Sequence, residues 1–213
     1  MPRPSGPAQR LPRYLTQHEL RAFFRAITAP RDRALFGLIY HYGLRVGEVA
    51  LLDRADVDLK RLRIIVKRLK GGAWFERPLF GSTAELLRAY LSGRPQVPEA
   101  PLFAGRDGAL RKRQIQALFS SYRDRAGLPR RLTCHSLRHS IATHLLDAGM
   151  PLEFVQDHLG HQSIRSTSIY ARITDHHRLA LFQKLEHSPW IVQPGSSGPA
   201  VKDEEARDPA PPP

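Results

Sequence analysis

From Leu15 onward, apolar residues recur at helical spacing. Leu20, Phe23, Phe24 and Ile27 fall on one face. Thr16-Gln17-His18-Glu19 is a capping box, in which each of the two side chains takes up an orphan backbone N–H, and Leu15 with Leu20 matches a hydrophobic staple. A first helix follows. After Pro30, the run from Asp32 to Tyr42 repeats the pattern through Ala34, Leu35, Leu38, Ile39 and Tyr42, and Gly43 supplies the stop. The period then changes. Leu62 to Val66 is rich in β-branched and leucine residues, Lys70-Gly71-Gly72 is a turn, and Trp74 to Phe80 is again apolar and aromatic, which predicts a β-hairpin or three-stranded sheet. Ser82-Thr83-Ala84-Glu85 reads as a second capping box, opening a helix to about Leu91, and Ile115, Leu118, Phe119 and Tyr122 mark another that ends at Gly127. His135 to Ala148, Leu152 to Leu159 and Ser163 to Ile173 each carry a helical stripe or cap, separated by Gly149-Met150-Pro151 and Gly160. A last amphipathic segment, Arg178 to Glu186, aligns Leu179, Phe182 and Leu185 before Pro189 stops it. The expected fold is mainly α with a small antiparallel β-sheet, an α+β domain.

Composition sharpens this picture. With 213 residues, 41% of them apolar, the chain can bury one good core and is short for two. A formal charge of +13 and a pI near 10.7 point to a polyanionic partner, nucleic acid before anionic membrane. No apolar run approaches the roughly 20 residues that span a bilayer, and the start, Met1-Pro2-Arg3-Pro4, lacks the apolar core of a signal peptide. The cytoplasm, in association with the nucleoid, is the expected compartment. The single cysteine, Cys134, agrees with a reducing environment and excludes a Cys-rich zinc module. Residues 1–13, with Arg3, Arg10 and Arg13 among Pro and Gly, read as a flexible basic arm, and residues 14–187 as one folded domain. Residues 188–213 read as a disordered, Pro-rich acidic tail, in which Asp203, Glu204, Glu205 and Asp208 outnumber Lys202 and Arg207.

Four clusters carry candidate chemistry. In Gly43-Leu44-Arg45-Val46-Gly47-Glu48 an arginine follows a helix stop directly, although a lone surface arginine is usually just solvated. Lys70-Gly71-Gly72 at a hairpin tip is, by itself, an ordinary basic turn. His135-Ser136-Leu137-Arg138-His139 places His135 and Arg138 at i and i+3 on one helical face, from which both can reach one anion. Leu159-Gly160-His161 is followed nine positions later by Tyr170, in a setting where tyrosine is usually half-buried packing.

Taken in order, Gly-Leu-Arg-Val-Gly-Glu, Lys-Gly, His-Ser-Leu-Arg-His, Leu-Gly-His and Tyr resemble the signature of the phage-integrase, or tyrosine recombinase, family. The resemblance runs from about Leu11 to Glu186 and looks closest to the compact invertases that flip fimbrial promoter elements. It implies the tyrosine recombinase catalytic domain fold and a DNA strand exchange through a 3′-phosphotyrosine. It casts Arg45 and Arg138 as phosphate clamps, His135 and His161 as supporting hydrogen-bonding groups, Lys70 as general acid and Tyr170 as nucleophile. The chemistry is coherent. An arginine fork binds two phosphate oxygens and stays charged at any working pH. A phenol with an ordinary pKa near 10 needs such neighbours to become nucleophilic. A lysine can protonate the departing 5′-oxygen. The phosphotyrosyl link conserves the energy of the broken bond, so neither ATP nor any cofactor is expected. Metal is not expected either, since no carboxylate cluster of the kind that holds Mg²⁺ accompanies these motifs. The pairs His135/His139 and His158/His161 have spacings compatible with metal ligation but lack a Cys or carboxylate to complete a site. His139, His144, His158, His176 and His177 are expected to pack, cap or approach phosphates.

Two points stay open at this level. Lys67, three residues before Lys70, takes the acid role if the hairpin register differs. The family's usual N-terminal DNA-binding domain has no counterpart before Leu15, so site recognition would rest on the basic catalytic surface, on cooperating subunits or on a partner such as an accessory DNA-bending protein. The expected substrate is double-stranded DNA with short inverted repeats. The resemblance further implies a homo-tetramer on paired sites, linked through residues 178–186. A type IB topoisomerase and a catalytically silent DNA-binding regulator on the same scaffold are the competing readings.

Overall fold

A computed structural model describes residues 13–67, 74–94, 97, 100–105 and 108–160. The arm before residue 13, the expected helix from Ser163 to Ile173, the segment from Arg178 to Glu186, His176, His177 and the tail lie outside the described residues. Helix α1, Gln17–Ala26, opens on the expected capping box. Thr16 Oγ1 accepts the Glu19 N–H at 3.2 Å, while Glu19 Oε2 accepts the Thr16 N–H at 2.8 Å. Its apolar stripe is buried, with Leu20, Phe23 and Ile27 inside the core beside Leu15. Helix α2, Pro30–His41, begins two residues earlier than its apolar run, because Pro30 occupies the first turn, where a missing N–H costs nothing.

The remaining helices are α3 (Val46–Val49), α4 (Gly81–Leu91), α5 (Lys112–Arg125), α6 (Cys134–Asp147) and α7 (Leu152–Leu159). Phe23 of α1, Phe36 of α2 and Phe119 of α5 meet at centroid distances of 4.8 to 6.0 Å and form the aromatic centre of the core. Three strands, β1 (Val57–Asp58), β2 (Arg63–Lys67) and β3 (Trp74–Pro78), make an antiparallel sheet in chain order. Ile64 and Val66 of β2 face the core, and Lys67 pairs with Trp74 in register, while the turn expected around Lys70 lies outside the described residues. A mainly α domain with small antiparallel sheets is therefore observed. A second hairpin, β4 (Ala104–Gly105) with β5 (Gly108–Ala109), is two residues deep, too short to leave a periodic signal.

One expectation fails. The second capping box does not form: α4 starts at Gly81 with Phe80 as its N-cap and has no side-chain cap bond. Tertiary contacts replace it. The Tyr42 hydroxyl accepts the Phe80 N–H at 2.9 Å and donates to the Pro78 carbonyl at 2.9 Å, while Thr83 is buried against His41 Nδ1 at 2.7 Å. Those partners lie some forty residues back along the chain, beyond the reach of a local motif.

Gly43 ends α2 in the left-handed region, at φ +56°. A Cβ there would stand 2.4 Å from Leu159 Cδ2. Gly43→Ala adds a left-handed backbone cost of about 1–2 kcal/mol to that overlap. We expect urea titrations to show a loss of ~2 kcal/mol or more, whereas an unchanged midpoint would mean the turn does not depend on glycine.

Candidate active site

Arg45 is placed by its own sequence neighbourhood. The left-handed Gly43 turns the chain out of α2, Leu44 is buried, and Arg45 becomes the N-cap of α3. Glu48, three residues on, holds it twice: Oε2 accepts the Arg45 backbone N–H at 2.8 Å, and Oε1 pairs with Nη1 at 2.8 Å. The Glu48 carboxylate is fully buried, while the Arg45 side chain keeps 37% of its surface exposed. A buried carboxylate is tolerable when it is paired and hydrogen-bonded. The result is a guanidinium anchored from inside and presented outward. Glu48 was visible in the sequence only as part of the Gly-Leu-Arg-Val-Gly-Glu motif, and its Arg-x-x-Glu spacing is the signal for this role.

His135 stands in the first turn of α6. Together with Arg45, Lys112, Arg123, Thr133 and Ser120 it lines a cleft of about 510 Å³, completed by Val46, Gly47, Gln116 and Cys134. Among the described residues no carboxylate lines this cleft. Its cations, Arg45 at the start of α3 and Lys112 and Arg123 on α5, come from elements far apart in sequence, and Arg123 is itself paired with Asp124 at 2.7 Å. Lys112 and Arg123 lie on α5, and nothing in the local sequence links them to Arg45. The charge pattern suits a phosphate.

Arg138, on the same face of α6 as His135, does not line the cleft. It is 1% exposed, and its guanidinium donates to the carbonyls of Gly43 and, at 2.8 Å, Leu159. These are terminal carbonyls of α2 and α7, groups that a helix cannot satisfy itself and toward which its dipole draws a cation. Arg138 thus ties together the C-terminal ends of two helices, within electrostatic reach of His135. The structure brings Arg45 and His135 to one cleft and Arg138 to its inner side. Lys70, His161 and Tyr170 lie outside the described residues.

Lys67, the alternative acid, is otherwise engaged. Its ammonium contacts Asp53 Oδ2 and Asp56 Oδ2 at 2.8 Å each and lies over the Trp74 ring. Burial by itself would lower its pKa, but the hydrogen bonds to Asp53 and Asp56 outweigh it and hold the lysine above its ordinary value. A proton held that firmly is poorly suited to donation. The other histidines mostly pack. His158 Nε2 meets the His41 carbonyl at 2.8 Å among the stacked rings of Tyr42, Phe80 and Phe154, His144 Nδ1 meets the Tyr40 hydroxyl at 2.9 Å, and His139 stands edge-on to His135 at 4.4 Å.

Three histidines are held below their ordinary pKa of 6.5. Burial lowers His41, with the His158 charge adding to it. Burial lowers His135, with repulsion from Arg138 and then Arg45. Burial also lowers His144. A neutral His135 can accept as well as donate a hydrogen bond. Because the unfolded chain takes up these protons at a higher pH than the folded one, stability falls as the pH drops below about 6.5, until the folded-state values are passed. Urea midpoints should be flat above about pH 7 in respect of these groups and decline on acidification; a midpoint rising from pH 7 to 5.5 would contradict this.

Comparison with known proteins places this arrangement. A family model described as the phage integrase family matches residues 13–177. Tyrosine recombinase XerA of Thermococcus onnurineus is 37% identical over 180 residues, covering 82% of this chain and 63% of its own length. Tyrosine recombinase XerC of Neisseria gonorrhoeae is 39% identical over 158 residues, covering 73% and 52%. Among solved structures, XerA recombinase superposes with a TM-score of 0.72 at 25% identity, over 86% of this chain and 67% of that one. XerH site-specific recombinase, bound to its palindromic difH substrate after cleavage, gives 0.70 at 29% identity, over 84% and 54%. The chain spans about three fifths of the length of the first curated relatives it matches.

Proposed function

Because the chain belongs to the phage integrase family, we propose that it is a site-specific DNA recombinase. In this reading it cuts and rejoins strands through a 3′-phosphotyrosine at Tyr170, with residues 14–187 as the catalytic region. The observation that carries the reading is the cleft, with no carboxylate among its described lining residues, which Arg45, anchored by buried Glu48, lines together with His135. There Arg45 binds the non-bridging oxygens of the scissile phosphate, and neutral His135 adds a hydrogen bond to the charge that builds on them. Arg138 contributes positive potential from its buried position, and it reaches the phosphate directly only by releasing the Gly43 and Leu159 carbonyls. His161 supports the same oxygens.

The Tyr170 phenol passes its proton to solvent and attacks phosphorus, so that a P–O bond to tyrosine forms as the P–O bond to the 5′-oxygen breaks. Lys70 gives the leaving oxygen its proton, since Lys67 is committed to Asp53 and Asp56. A 5′-hydroxyl from another strand reverses the step, with no net loss of phosphodiester bonds. The substrate is a duplex with short inverted repeats, and assembly of four copies through residues 178–186 orders the cuts. The Xer relatives favour recombination over topoisomerase activity.

The test uses a nicked suicide duplex carrying inverted repeats from the DNA that flanks the gene. Wild-type protein should form a denaturant-resistant covalent complex in the presence of a chelator. Efficient relaxation of supercoiled plasmids that lack those repeats would assign the chain to topoisomerase chemistry instead, and absence of any adduct would overturn the proposal.

A further inference from the structure

A second basic surface lies apart from the cleft and shares none of its lining. His18, Arg21 and Arg25 stand at i, i+3 and i+7 on α1, Arg33 joins them from α2, and with Phe24 they line an open depression of about 450 Å³. All four basic side chains are exposed, while Phe24 is half-buried against Phe23 and Tyr40. The local acids are otherwise occupied. Glu19, the sole acid of α1, is folded back onto Thr16, and Asp32, the sole acid of α2, is buried against Arg31 and the Tyr122 hydroxyl. Among the described residues no carboxylate pairs with Arg21, Arg25 or Arg33. Three like charges concentrated this way repel one another until an anion shares them.

The shape of the cluster narrows the anion. From His18 to Arg25 the helix advances about 10 Å at 1.5 Å per residue, and phosphates along one DNA strand are spaced about 3.4 Å along the axis. The stripe is therefore long enough to meet more than one phosphate of a strand. A membrane surface fits less well. The exposed large apolar side chains among the described residues include none on α1 or α2, and interfacial helices bind by inserting such groups. We infer that this face docks the sugar-phosphate backbone of duplex DNA at a point other than the phosphate held in the cleft. The inference rests on the proposed function only in taking DNA as the partner.

Backbone contacts are independent of base sequence, so a long duplex of arbitrary sequence suffices as probe. The full chain and its Arg21→Ser/Arg25→Ser/Arg33→Ser variant are titrated over a range of salt concentrations. Each lost phosphate contact should make the slope of log affinity against log salt shallower by about 0.9, a change of roughly 2 to 3 in all. The corresponding triple Arg→Lys variant, which keeps the charge, should keep most of the slope. An unchanged slope in the serine variant overturns the inference, as does an equal loss in the lysine variant. A serine variant that loses affinity for anionic vesicles and none for DNA also overturns it. If the slope falls as expected while the wild-type chain forms no covalent adduct on its suicide duplex, docking stands and the recombinase reading fails; the converse result separates them the other way.

Discussion

Tyr170→Phe protein is expected to bind its duplex with near wild-type affinity and to form no covalent complex at all. The substitution removes one oxygen, the atom proposed as the bridge to phosphorus, and keeps the ring. In the proposed mechanism no other side chain serves as the nucleophile. The rate should fall to background, a larger effect than any change in binding or orientation produces. Gel-shift assays and suicide-substrate trapping on the same samples check both halves. Residual adduct above background would mean that another nucleophile does the chemistry.

Arg45→Ala should be nearly as damaging to the chemical step. Loss of a single preorganised donor to a developing oxyanion costs about 10²–10³ in rate, and a charged, two-pronged donor to phosphate should cost at least that. The change also strips buried Glu48 of its guanidinium partner, and because the Arg45 side chain is itself partly exposed the loss of stability should stay below the about 3–5 kcal/mol of a fully buried pair. The two losses must therefore be measured separately, single-turnover cleavage at saturating protein under conditions where unfolding curves show the variant folded. Arg45→Lys separates them further, because it keeps a charge beside Glu48 but loses the planar fork. We expect it to recover stability more than rate. Cleavage by folded Arg45→Ala within tenfold of wild type would remove Arg45 from the phosphate clamp.

Local signals were legible where the stabilising partners are local. Thr16 and Glu19 cap α1 as their spacing indicates; β2 and the left-handed Gly43 and Gly160 sit where the β-branched run and the glycines place them. The same kind of signal misled at Ser82 to Glu85, since Tyr42 and His41 supply the contacts that a capping box would have made. Helix α3 is four residues long, too short for any period to register.

At the candidate site, helical spacing correctly placed His135 and Arg138 on one helix, but spacing alone says nothing about depth. Arg138 goes inward because two helix ends leave carbonyls facing it, and those ends belong to Gly43 and Leu159, on either side of it in the chain. The Lys67 ion pairs with Asp53 and Asp56, and the contribution of Lys112 and Arg123 to the cleft, likewise depend on elements meeting in space. Motif order identified the family; tertiary contacts decide which cations are presented and which are committed.

The account stands or falls on where DNA becomes attached. Wild-type protein trapped on the suicide duplex can be digested with nuclease and protease and its peptides sequenced by tandem mass spectrometry. The peptide spanning Ile169-Tyr170-Ala171-Arg172 should carry the residual nucleotide as a phosphodiester on the Tyr170 oxygen. A nucleotide on any other side chain, or cleavage that leaves none on the protein, would contradict the account.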